Sequence, residues 1–162
     1  MPQGDRIVLC VGACLPVMTD ADGSESLLRR EGLRVMQVPS QDAAATLLCY
    51  IAPAVVVIDL GLADGSPLAV ADFCSYRRPE ARVILSGCAG LMVDGAIFRH
   101  VTNAAALIPG PMSARDLCAL IAYHADRGCP RPAAARPRPR TATELGGRVI
   151  PIGRHVEEAL AG

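Results

Sequence analysis

Asp59 closes an apolar run, Val55-Val56-Val57-Ile58, and precedes a turn-like stretch, Leu60-Gly61-Leu62-Ala63-Asp64-Gly65, that leaves its carboxylate accessible. Burying that charge unpaired inside a strand would cost several kcal/mol. It is therefore expected at the strand's carboxyl end, the edge where open α/β sheets gather their chemistry. The plain alternative is a capping carboxylate that accepts backbone N–H groups. Ser86 ends a second apolar run, and its hydroxyl matters only if the fold brings it to Asp59. Cys14 and Cys88 also follow strand-like runs. Side by side they would bind a metal or form a regulatory disulfide, whereas free cysteine ordinarily serves as a small buried hydrophobe. Cys10, Cys49, Cys74 and Cys118 fall inside predicted elements and read as core, and Cys129 reads as an exposed thiol.

Other arrangements carry less. Residues 20–31 match a calcium-binding loop at the first, third and twelfth positions, but Glu25 stands where the sharp turn needs glycine. His100, His124 and His155 have no metal spacing and read as surface residues. Val11-Gly12-Ala13-Cys14-Leu15 lacks the further glycines that let a pyrophosphate approach, which argues against dinucleotide binding.

The elements that must position Asp59 follow from pattern. Four β-branched residues without alternation fit a strand covered on both faces. Strand-like runs occupy 6–11, 33–38, 54–59, 82–86 and 104–108. Helical stretches lie between and after them: 24–31, 41–51 behind Ser40 as N-cap, 66–77 opened by Ser66-Pro67, 91–100 and 113–126. Strand and helix in alternation predict a flavodoxin-like (βα)5 domain, a doubly wound parallel sheet in strand order 2-1-3-4-5.

At 162 residues the chain suits one domain with an appendage, and its core needs neither metal nor disulfide. Hydrophobic residues make up 51% but aromatics only 3%, so aliphatic side chains must build the core and base stacking on aromatic platforms is not expected. All 16 basic residues are arginine, and charge is uneven: residues 1–126 are acidic and 127–162 basic. Prolines in 127–143 favour extended polyproline conformation, so this segment is read as a Pro/Arg-rich linker and 144–162 as a tail with a short docking segment. Seven cysteines without CxxC spacing, no secretory signal and no apolar run of about 20 residues predict a cytoplasmic chain without a membrane span.

Residues 6–126 resemble the receiver domain of two-component response regulators. The resemblance rests on the five-unit pattern, on Ile58-Asp59-Leu60-Gly61-Leu62-Ala63-Asp64-Gly65-Ser66, on Ser86-Gly87 and on Pro111. It implies Asp59 as phosphoacceptor, Ser86 as a phosphoryl contact, a sensor histidine kinase or a downstream signalling protein as partner, and homodimerisation. Departures accompany it. Gly12-Ala13 stands where the family has a Mg²⁺-binding acidic pair, Gly110 where it has lysine, and Leu107 where it has an aromatic residue. Mg²⁺ is expected only if phosphorylation is retained, held by Asp59 and the Gly61 backbone with Asp20 or Asp22 as substitutes.

These departures favour a stand-alone pseudo-receiver that signals by protein–protein interaction and is not an enzyme. The 36 residues after 126 leave no room for a helix-turn-helix bundle, so sequence-specific DNA binding is not expected. Two rival readings are a cysteine-based redox or metal sensor using Cys14 and Cys88, and an arginine-tail adaptor for nucleic acid or a membrane surface.

Overall fold

Alternate residues of the central strands enter two different cores, which is why those strands carry no polar alternation. The computed structural model describes residues 6–14, 23–87 and 97–127. The chain divides into two units, Met1–Arg131 and Pro132–Gly162, and every described residue belongs to the first. In chain order the elements are β1 (Arg6–Val11), α1 (Ser24–Arg30), β2 (Leu33–Val38), α2 (Gln41–Tyr50), β3 (Val55–Asp59), α3 (Pro67–Arg77), β4 (Arg82–Ser86), α4 (Ile97–His100), β5 (Ala104–Ile108) and α5 (Ala114–Arg127). The strands pair in parallel in the order β2-β1-β3-β4-β5.

Val8, Cys10, Val55, Val57 and Ile84 pack on one side of the sheet with Leu28 of α1 and Leu117 and Ile121 of α5. Leu9, Val11, Val56, Ile58 and Leu85 pack on the other with Leu48 of α2 and Val70 of α3. Each such side chain contributes about 1.5–3 kcal/mol when fully buried. No tyrosine enters either core: Tyr50, Tyr76 and Tyr123 are 82%, 84% and 52% exposed.

Helix ends are held by the residues that announce them. The Ser40 and Ser66 hydroxyls accept the Ala43 and Ala69 amides at 3.2 and 3.3 Å. Helix α2 stops at Tyr50, one residue before the expected end. Ile51 is already extended, and Pro53 disfavours helix at Ala52. The Arg78 guanidinium then closes α2 by donating to the Leu48 and Cys49 carbonyls at 3.0 and 3.3 Å. Buried Asn103 ties β5's entry to α3: its Nδ2 donates to the Ala81 carbonyl at 2.9 Å, and its Oδ1 accepts from Ser75 Oγ.

Three expectations need correction. Arg127, expected to open the linker, closes α5, because its guanidinium stacks 3.8 Å from the Tyr123 ring centroid and donates to the Tyr123 carbonyl. Cys49, expected in the core, is exposed, since it follows Leu48 round to the solvent side of α2. His124, expected at the surface, is half-buried, and its burial, with Arg82 and Arg127 nearby, holds its pKa below the usual value. Of the expected helix 91–100 only Ile97–His100 is described. Asp20, Asp22, Cys88, Cys129, His155 and the 128–162 segment lie outside the described residues.

Candidate functional site

Asp59 is the last residue of β3 and sits in register with Ser86, the last of β4. Asp59, Ser86, Gly12 and Gly110 meet at the carboxyl edge: all four line the two clefts that flank the carboxylate. Asp59 Oδ1 accepts the Gly61 amide at 2.8 Å, and Oδ2 accepts the Ala13 amide at 3.3 Å. Each carboxylate oxygen thus caps a loop, as the plain alternative anticipated. The side chain nonetheless remains half-buried and borders open space on both sides.

Glycines set the walls. Gly12 has φ +85°, a region that glycine occupies readily and bulkier residues do not. A Cβ there would fall 2.9 Å from Asp59 Cβ. A Cβ on Gly87, φ +82°, would lie 3.0 Å from Asp59 Oδ1, and one on Gly61 3.2 Å from the same oxygen. The loop after β1 is fixed further by Gln37, whose amide donates to the Gly12 carbonyl at 3.0 Å. From sequence, Gly61 was singled out for its backbone, and Gly12 and Gly87 only as positions in the resemblance, not as walls of the site. A glycine immediately after β1 and β4 was the available signal for the other two.

Cys14 faces inward. Its Sγ donates to the Val11 carbonyl at 2.8 Å and lies 3.3 Å from that of Val57. Burial, and then the negative charge of Asp59, push its pKa up to about 12. A thiol so held is protonated at neutral pH and is a poor nucleophile or metal ligand. Ser86 is 9% exposed and turns its hydroxyl to the Ile58 carbonyl at 3.4 Å, within reach of Cys14.

The described residues around Asp59 do not fit a divalent cation. Mg²⁺ demands near-octahedral oxygen ligation, usually with one or two carboxylates. Gly12 and Ala13 bring no side-chain oxygen, which leaves Asp59 without a second carboxylate from the described part of the loop after β1. Among the described residues no three His, Cys, Asp or Glu side chains gather closely enough to hold a metal. Nor is any described helix long and apolar enough to cross a membrane.

No family model and no curated protein matches the sequence. Solved structures do. A CheY-like response regulator receiver domain protein from Methanospirillum hungatei JF-1 is 19% identical over 76% of this chain and 95% of that one, with a TM-score of 0.61. The receiver domain of a sensor histidine kinase from Pseudomonas aeruginosa PAO1, which has magnesium coordinated in its active site cleft, is 15% identical over 75% and 98%, TM-score 0.58. An adenylate cyclase structure from Rhodopirellula baltica is 12% identical over 76% and 90%, TM-score 0.60. The strand order and the helices on both faces make this a flavodoxin-like domain. Its fold is that of the receiver domain, and at these identities the likeness is one of fold.

Proposed function

We propose that this chain is a divergent receiver domain that signals, in a two-component or phosphorelay setting, by binding another protein, and that it does so without efficient phosphorylation of Asp59. The receiver fold suggests the setting. One observation carries the rest: Asp59 stands at the receiver's chemical edge with backbone amides on both oxygens and Gly12-Ala13 and Gly110 about it. Forming an acyl phosphate asks for a cation to offset the phosphoryl charge and for donors to its oxygens. Neither Gly12-Ala13 nor Gly110 supplies a charged group, and Ser86 Oγ, the candidate phosphoryl contact, is turned to a backbone carbonyl. The module is accordingly a binding protein rather than an enzyme, cytoplasmic, with a sensor histidine kinase or a downstream signalling protein as its partner.

A redox function through Cys14 is the weaker reading, because the buried thiol stays protonated at neutral pH. The deciding experiment treats the full chain with acetyl phosphate and Mg²⁺ and follows intact mass. No phosphoryl gain is expected. An acid-labile phosphoprotein that forms readily and disappears in Asp59→Asn would overturn the proposal.

A further inference from the structure

The cleft on the β4 side of Asp59 has the wrong chemistry for an anion and the right one for an organic cation. It encloses about 330 Å³. Asp59, Cys14 and Ser86 border it on one side, and Ile108, Met112 and Leu117 give it apolar walls. Cys14 Sγ and Ser86 Oγ lie within hydrogen-bond reach of the backbone carbonyls of Val11 and Ile58. Asp59 differs. An ionised carboxylate offers about four acceptor positions, and among the described residues only the Gly61 and Ala13 amides are on it.

No described cation neutralises it. The ion pairs among the described residues are Arg6–Asp126 and Arg29–Glu25, both away from this edge, and the chain has no lysine. Gly110, beside Pro111 on the cleft's lining, leaves space: a Cβ built there would meet nothing within 4 Å. A half-buried carboxylate next to aliphatic walls and an open gap is complementary to a charged head on a methylene stem.

We infer that this cleft receives a lysine or arginine side chain of a partner protein, its ammonium or guanidinium on Asp59 and its stem along Ile108, Met112 and Leu117. The inference rests on the reading of Asp59 as a carboxylate free of metal and phosphate. The partner then supplies the charge that Gly110 does not, and recognition depends on the ionised carboxylate itself. Burial against the apolar walls makes this contact less sensitive to salt than an exposed ion pair.

The test uses small probes on the isotope-labelled full chain: n-butylammonium, with n-butanol as its uncharged match, followed at the Ala13 and Gly61 amide resonances that report on Asp59. Butylammonium should shift both amides to saturation in the millimolar range expected of so small a ligand, and butanol should not. Asp59→Asn should abolish the response. Gly110→Lys, which places an ammonium of the chain's own beside the cleft, should raise the half-saturating concentration several-fold through its high effective concentration. Equal shifts with butanol, saturation that persists in Asp59→Asn, or indifference to Gly110→Lys would each overturn the inference. Failure of butylammonium to bind a chain that acetyl phosphate leaves unmodified sinks the cation cleft alone. Phosphorylation of Asp59 would instead remove the reading beneath it.

Discussion

Replacing Gly12 by alanine should destabilise the domain, although it adds one methyl group to a surface loop. Three terms decide the size of the effect. Holding an L-residue at φ +85° costs about 1–2 kcal/mol. The new Cβ would stand 2.9 Å from Asp59 Cβ and 3.2 Å from Leu62 Cδ1, and relieving such overpacking costs about 1–3 kcal/mol. Against these, alanine narrows the unfolded ensemble and returns about 0.4–1 kcal/mol. The net loss is about 1–4.6 kcal/mol, a fall in Tm of roughly 4–18 °C for a domain of this size. Gly110→Ala is the matched control, because its Cβ meets nothing within 4 Å and the unfolded-state term then leaves stability equal or slightly higher. Calorimetry on both variants is the assay. If the two midpoints coincide with wild type, Gly12 is not pinned against Asp59 and the argument about the site's walls fails. If the contrast holds, an acidic residue cannot be restored at position 12 by one substitution without moving the loop or Asp59.

Two further outcomes follow from buried polar groups. Asn103→Ala should lower stability by about 1–3 kcal/mol, because the Ala81 carbonyl loses its side-chain donor and Ser75 Oγ its acceptor; a urea midpoint that does not move would refute it. Stability should also fall above pH 9. Burial pushes Cys74 up to about 11 and Cys14 up to about 12, and raises Cys10 further, from an ordinary 9.0. The unfolded thiols ionise first, so stability is intact below that value and is lost as pH climbs toward the folded ones, by about 1.4 kcal/mol per pH unit for each thiol. Equal urea midpoints at about pH 8 and about pH 10 would contradict the burial of these cysteines.

The central strands were legible in sequence because burial on both faces leaves a mark that composition alone carries, and 6–11 and 82–86 hold to the residue; the edge strands 33–38 and 104–108 hold as well, although most of their residues are only partly buried or exposed. Ser40 and Ser66 were readable as caps for a similar reason, since an N-cap is a local device. Cys49 was not readable, because a cysteine one position past Leu48 has a core residue's chemistry and only its angle round α2 exposes it. For the site, the pairing of Asp59 with Ser86 followed from two strands ending in polar residues. The confinement of Asp59 by Gly12, Gly61 and Gly87 did not, since a glycine's reason for being glycine is set by what lies across the gap. Cys14 was read beside the carboxylate either as one of a reactive pair with Cys88 or, more ordinarily, as a small buried hydrophobe. Its inward turn onto the Val11 and Val57 carbonyls depends on backbone geometry that no residue type announces.

The aliphatic core has an optical consequence. With no tryptophan in the chain and all three tyrosines on the surface, ultraviolet absorbance and emission come largely from the domain's exterior. Tyr50 ends α2 and Tyr76 lies in the last turn of α3, two helices packed together, and Tyr123 sits on α5 beneath the Arg127 guanidinium. Loss of the core should therefore change tyrosine emission modestly, while a protein settling over the ends of α2 and α3 should change it directly. The chain carries its own reporters of surface occupancy, spectrally separate from folding, and circular dichroism of the backbone would follow the core they do not see.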